Sequence, residues 1–149
     1  MAIREAADAD VVALLPLVRA YCDFYRSDPP DEGLQRMLRD VIAAPENQAF
    51  LLVATEGEDG ALIGFALNQW KWSSLRGARV VVIDDLFVDQ RARGKGHADA
   101  LIEAVADVAR RHNAPVVSWF TMPDNHRAHK VYDRVGGSAE TLLEYELEL

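Results

Sequence analysis

The segment Arg93-Gly94-Lys95-Gly96-His97-Ala98 packs two cations and two glycines into six residues of a chain that is otherwise acidic. Glycine lets a main chain approach an anion with no Cβ in the way, and the start of a helix offers unbonded N–H groups and the positive end of a dipole. Such a turn suits a pyrophosphate. Two common phosphate motifs do not fit it. The P-loop needs G-x-x-x-x-G-K-S/T, and the dinucleotide fingerprint needs Gly or Ala where Asp99 stands.

Further side chains with chemistry to offer lie on either side of this turn. Asp84 and Asp85 are adjacent carboxylates just before it, and because strand neighbours face opposite sides, one at most enters a given pocket. Tyr132 brings a phenol, and Asn125 is of the type that caps a helix or bonds a ligand. His126 and His129 are three apart but lack the glutamate and third ligand of a zinc motif, so no metal is expected. Cys22 falls on an apolar helical face and reads as packing rather than as a nucleophile. Trp70 and Trp72, with Phe24 and Tyr25, are candidates for the wall of a second substrate's pocket, and equally for core or dimer packing.

The elements that must position these groups follow from periodicity. A short strand at residues 3–5 precedes a helix whose face carries Val11, Leu14, Leu15, Val18, Cys22 and Tyr25, capped at Asp8 and interrupted or kinked by Pro16. After Pro29-Pro30, the spacing of Leu34, Met37, Leu38, Val41 and Ile42 predicts a second helix. Residues 50–54 and 62–70 read as a hairpin across Gly57-Glu58-Asp59-Gly60. A turn at Arg76-Gly77 leads to a strand at 80–88, the basic turn, and a helix burying Ala98, Leu101, Ile102, Val105 and Val108. A strand at 116–121, a helix at 125–135 and a closing strand with Leu143, Tyr145, Leu147 and Leu149 alternating with glutamates complete the chain. Antiparallel strands followed by strand, helix, strand, helix, strand predict an α/β (α+β) domain with a mixed, mostly antiparallel sheet flanked by helices.

Composition bounds the function. The 149 residues, 50% of them hydrophobic, suit one domain. The apolar runs are far shorter than the roughly 20 residues of a membrane span, and the N-terminus lacks a signal-peptide pattern, so a cytoplasmic protein without a membrane partner is expected. One cysteine excludes an internal disulfide. A net charge of -8 opposes nucleic acid and favours cationic partners.

Residues 93–98 match the acetyl-CoA loop Gln/Arg-x-x-Gly-x-Gly/Ala, and the chain resembles the GNAT superfamily of N-acetyltransferases there. Ile83-Asp84-Asp85-Leu86-Phe87-Val88 is similar to the family's preceding strand, and Asn125-His126-Arg127-Ala128-His129-Lys130-Val131-Tyr132 to its later Asn-x-x-Ala-x-x-x-Tyr helix. With Trp119-Phe120-Thr121 and Val135-Gly136-Gly137, the likeness is greatest to the yeast histone/polyamine and D-amino-acid acetyltransferase subgroup, and it covers residues 78–137. The resemblance implies a GNAT fold and transfer of acetyl from acetyl-CoA to a primary amine by direct attack. The acceptor would be a small amine, polyamine or amino acid; the alternatives are a protein lysine or N-terminus, or a module that holds acyl-CoA without turnover. It implies that residues 93–98 and Asn125 bind the cosubstrate, with pantetheine against the main chain of Phe87 and Val88. Tyr132 would protonate the leaving thiolate, Asp84 act as base through water, and Asp85 attract the acceptor, although the two aspartates could exchange roles. A homodimer is also implied.

Overall fold

The computed structural model describes residues 1–57 and 60–149, so Glu58 and Asp59 of the expected hairpin turn lie outside the described residues. The strands are β1 (Ala2–Glu5), β2 (Ala49–Glu56), β3 (Ala61–Ser73), β4 (Ala78–Val88) and β5 (Val117–Trp119); the helices are α1 (Val11–Phe24), α2 (Asp31–Ala43), α3 (His97–Arg111) and α4 (His126–Arg134). The five strands form one sheet in the order β1-β2-β3-β4-β5, antiparallel up to β4 and parallel between β4 and β5. The parallel pair is what a crossover through α3 produces.

Alternation along the strands gives the sheet two apolar faces. On one, Val11, Leu14, Leu17 and Val18 of α1 and Leu34 and Leu38 of α2 pack on Leu51, Val53 and Phe65. On the other, Leu101, Ile102, Val105 and Val108 of α3 pack on Phe50, Leu52, Val81 and Ile83. The helical spacings read from sequence therefore mark most of the buried faces; Tyr25, placed on one of them, is exposed just past the end of α1, and Leu17 is buried in addition.

Local details differ from expectation in four places. Pro16 lies inside an unbroken α1, where it forfeits one main-chain donor without ending the helix. Asp10, not Asp8, accepts the Ala7 N–H at 2.7 Å, held there by Arg4. β5 is half as long as the strand expected at 116–121. Residues 138–149 form no strand: the alternation is present, but no neighbouring strand supplies hydrogen bonds, and one strand alone is not stable in water.

Two irregularities shape the end of β4. Register shifts between Leu67 and Asn68, which pair with Asp85 and Ile83, so Asp84 is the extra residue of a β-bulge. Beside Val88 sits Gly64, whose missing Cβ would lie 2.6 Å from the Phe87 carbonyl oxygen. Because the obstacle is main chain, Gly64→Ala should force β3 and β4 apart and cost about 1–3 kcal/mol. Urea unfolding reads this; a variant as stable as wild type would mean that the strand pair yields freely.

Candidate active site

β4 and β5 are paired only from Val81 to Ile83 against Val117 to Trp119. Beyond that point no described strand lies against the outer edge of β4, and a cavity of about 610 Å³ opens, a volume typical of small-molecule sites. Its walls come from Leu86, Phe87 and Val88, from the turn into α3, from α4, and from Tyr21, Phe24 and Tyr25 at the end of α1.

The floor is built by the glycine turn. Gly94 and Gly96 have φ of 83° and 81°, left-handed values that other residues adopt only with strain. A Cβ at Gly94 would meet no atom within 4 Å, so the surface above it is open. The main-chain N–H groups of Gly94 through Asp99 make no hydrogen bond within the described residues. Six consecutive unbonded donors, the last three opening a helix of 15 residues, form a cradle for an oxyanion. A coenzyme A diphosphate matches this donor set.

The side chains of the turn divide. Arg93 turns inward: its Nε donates to the Val88 carbonyl at 2.8 Å and its guanidinium lies 5.6 Å from the Phe87 ring centroid. Burial, then the nearby positive Arg127, lowers its pKa. Lys95 turns away, its Nζ donating to Glu56 at 3.0 Å, and does not line the cavity. His97 is buried with Glu56 Oε1 3.6 Å from its Nε2. Ala98 lines the cavity beside it, and Asn125 both lines it and caps α4, its Oδ1 accepting from Ala128 N at 3.3 Å.

A smaller recess continues from the cavity, lined by Tyr21, Tyr25, Ile83, Asp84, Leu86, Trp119, Phe120 and Tyr132. The bulge sends Asp84 here, where burial, then the charge of Asp85, raises its pKa against the opposing hydrogen bond from Gln69. Asp85 lines neither space. It lies beside Tyr21, whose hydroxyl donates to the Asp84 carbonyl oxygen at 3.4 Å, and its pKa is raised chiefly by burial, against the opposing effect of that hydroxyl. Tyr132 packs on Trp119 with ring centroids 5.3 Å apart, and burial, then Tyr25, raises its pKa, keeping the phenol protonated.

The structure thus gathers Asp84, Tyr132, Phe24, Tyr25, Phe87, Val88, Arg93, Gly94, Gly96, His97, Ala98 and Asn125 around two adjoining spaces that share Tyr21, Tyr25, Leu86 and Tyr132. It does not bring Trp70 there. Trp70 pairs with Val81, several residues up the strand, and is fixed between Phe50, His112 and Arg79 with its Nε1 donating to Pro45 O at 3.0 Å. Sequence reasoning gave no role to Tyr21, Arg127 or Lys130, all of which line the cavity. The signal was available in Arg127, Lys130 and Arg134, which share one helical face in an acidic chain.

Among the described residues no group of three His, Cys, Asp or Glu side chains is placed to hold a metal, and no helix is long and apolar enough to cross a membrane. Comparison with known proteins gives a consistent result. The profile of the Acetyltransferase (GNAT) family matches residues 15–137. The chain is 32% identical over 141 residues to the uncharacterized N-acetyltransferase YhfO of Bacillus subtilis, covering 95% of this chain and 92% of that one. It is 37% identical over 91 residues to the D-amino-acid N-acetyltransferase HPA3 of Saccharomyces cerevisiae, covering 61% of this chain and 56% of that protein. A crystal structure of a probable acetyltransferase superposes with a TM-score of 0.88 at 27% identity, covering 100% of this chain and 98% of the other.

Proposed function

The chain belongs to the GNAT acetyltransferase family, and on that premise we propose that it transfers the acetyl group of acetyl-CoA to a primary amine of a small molecule, polyamine or amino acid by direct attack in a ternary complex. The observation that carries this reading is the run of unbonded N–H donors from Gly94 to Asp99 at the floor of the cavity. They receive the diphosphate, and the unpaired edge of β4 at Phe87 and Val88 runs beside the pantetheine. Cys22, the one thiol, lies on α1 against the core and lines neither space, which supports direct attack over an acyl-enzyme.

The acceptor enters the main cavity beside the recess, which at about 30 Å³ takes a water. An alkyl amine has a pKa near about 10.4 and arrives protonated, so it must lose a proton before attack. Asp84 takes that proton through water, while Asp85 behind Tyr21 adds negative potential that draws the cation in. The aromatic rim of Tyr21, Phe24 and Tyr25, with adjacent ring centroids 5.0 Å apart, suits an ammonium. Tyr132 supplies its phenolic proton to the departing sulfur.

Calorimetry with acetyl-CoA, followed by thiol-reagent detection of CoA release across an amine panel, tests the assignment. Binding and release with at least one amine is the expected result. Binding without release on any amine would leave a module that holds the thioester, and no binding would remove the assignment altogether.

Homodimer formation is part of the same proposal. Leu143, Tyr145 and Leu147 are 79, 89 and 83% exposed and alternate with glutamates, and the outer edge of β5 carries no described strand. Addition of this segment to the β5 edge of a second copy would pair both. Sedimentation equilibrium should give twice the mass of one chain and, after deletion of residues 138–149, the mass of one; an intact chain that sediments as a monomer would refute it.

A further inference from the structure

α4 has no fully buried residue, so the contacts at its end bear directly on where Tyr132 sits. The helix closes in a left-handed turn: the Gly136 N–H donates to the Asp133 carbonyl at 3.1 Å and the Gly137 N–H to the Tyr132 carbonyl at 2.9 Å. Gly136 has a φ of 84° and open space where a Cβ would stand, so its glycine serves the backbone. Gly137 has no such φ and is needed for space. A Cβ there would stand 3.0 Å from the Tyr132 carbonyl oxygen and 3.2 Å from Trp119 Cζ2, closer than carbon atoms pack. In a helix end of this kind the residue after the left-handed one commonly lays its own side chain back on the last turn. Here Trp119 of β5 takes that place, and its ring packs on Tyr132 with centroids 5.3 Å apart and planes at 59°. One indole therefore meets both the bare position after α4 and the phenol.

We propose that Gly137 and Trp119 are positioning residues for Tyr132: the missing side chain at Gly137 admits the far edge of the indole over the end of α4, and the indole sets the tilt of the phenol and so the direction of its hydroxyl. The inference rests on Tyr132 being the proton donor, as set out above.

Steady-state kinetics and CoA calorimetry test it on Gly137→Ala, on Trp119→Phe, on the two combined, and on Gly137→Ala placed in Tyr132→Phe. The methyl of Gly137→Ala presses the indole and the phenol aside by a few tenths of an ångström, so kcat should fall roughly 3- to 10-fold with the Kd for CoA unchanged. Trp119→Phe withdraws the far edge of the ring and makes room for that methyl, so the combined variant should turn over faster than Gly137→Ala alone. In Tyr132→Phe the hydroxyl is already gone, and Gly137→Ala should then cost no further kcat. Wild-type kcat in Gly137→Ala, a combined variant no faster than Gly137→Ala, or the same fold-loss repeated in Tyr132→Phe would each overturn the proposal. Should Gly137→Ala not fold, Trp119→Phe decides: a lower kcat at unchanged Kd, with no further loss in Tyr132→Phe, supports the positioning role, and full kcat overturns it. Those outcomes leave the proton donor standing, whereas wild-type kcat in Tyr132→Phe would overturn both readings.

Discussion

Tyr132→Phe should lower kcat by about 10²-fold, within the range a well-placed general acid contributes, while leaving the affinity for CoA unchanged. The split follows from where the ring sits. Its apolar body packs on Trp119 at 5.3 Å and survives in the Phe variant, so neither the cavity wall nor α4 need move. What is lost is one proton. That proton is present at neutral pH because a phenol ionises only near about pH 10, and burial, then the neighbouring Tyr25, raises its pKa further, so the proton moves only as negative charge develops on the departing sulfur. Stability should change by no more than about 1.5 kcal/mol, the net worth of one hydrogen bond. Steady-state kinetics with calorimetry on the same preparation reads all three quantities. An unchanged kcat would remove Tyr132 from proton transfer; a fall in kcat matched by a fall in CoA affinity would make it a binding residue.

The parts of this site that were legible in the sequence are those fixed by local chemistry. Gly94 and Gly96 are needed for their left-handed backbone, and the apolar spacing of Leu101, Ile102, Val105 and Val108 sets which way α3 faces, so the turn and its helix could be placed from residues alone. The parts that were not legible depend on distant partners. Lys95 reads as a phosphate ligand until Glu56, 39 positions away, takes it. Trp70 reads as a pocket wall until Phe50, His112 and Arg79 enclose it. That only one of Asp84 and Asp85 enters the recess accords with strand alternation, but the irregular register at Asp84 could not be read from β4, because the bulge belongs to its pairing with β3. The terminal alternation of Leu143, Tyr145 and Leu147 was read correctly as a pattern, but a pattern makes a strand only where an edge is available to receive it.

The two aspartates separate by pH. Asp84→Asn should reduce kcat/KM by about 10²-fold and remove the acidic limb of the pH–rate profile, leaving only the rise set by the acceptor's own ionisation. In wild type that limb lies above the usual carboxylate range, since burial and then Asp85 push the Asp84 pKa up. Asp85→Asn should act differently. Its raised pKa means that the folded protein holds the proton more tightly than the unfolded chain, so its contribution to stability is greatest below the unfolded pKa and is lost as pH rises through the folded one. Above its folded pKa the half-buried, ionised carboxylate is therefore a cost that asparagine removes. Asp85→Asn should melt no lower than wild type at pH 7 and should raise the KM for a cationic acceptor more than it lowers kcat. The opposite pattern, with the acidic limb lost in Asp85→Asn and kept in Asp84→Asn, would assign the proton to Asp85 behind Tyr21 and make Asp84 the residue that attracts the amine.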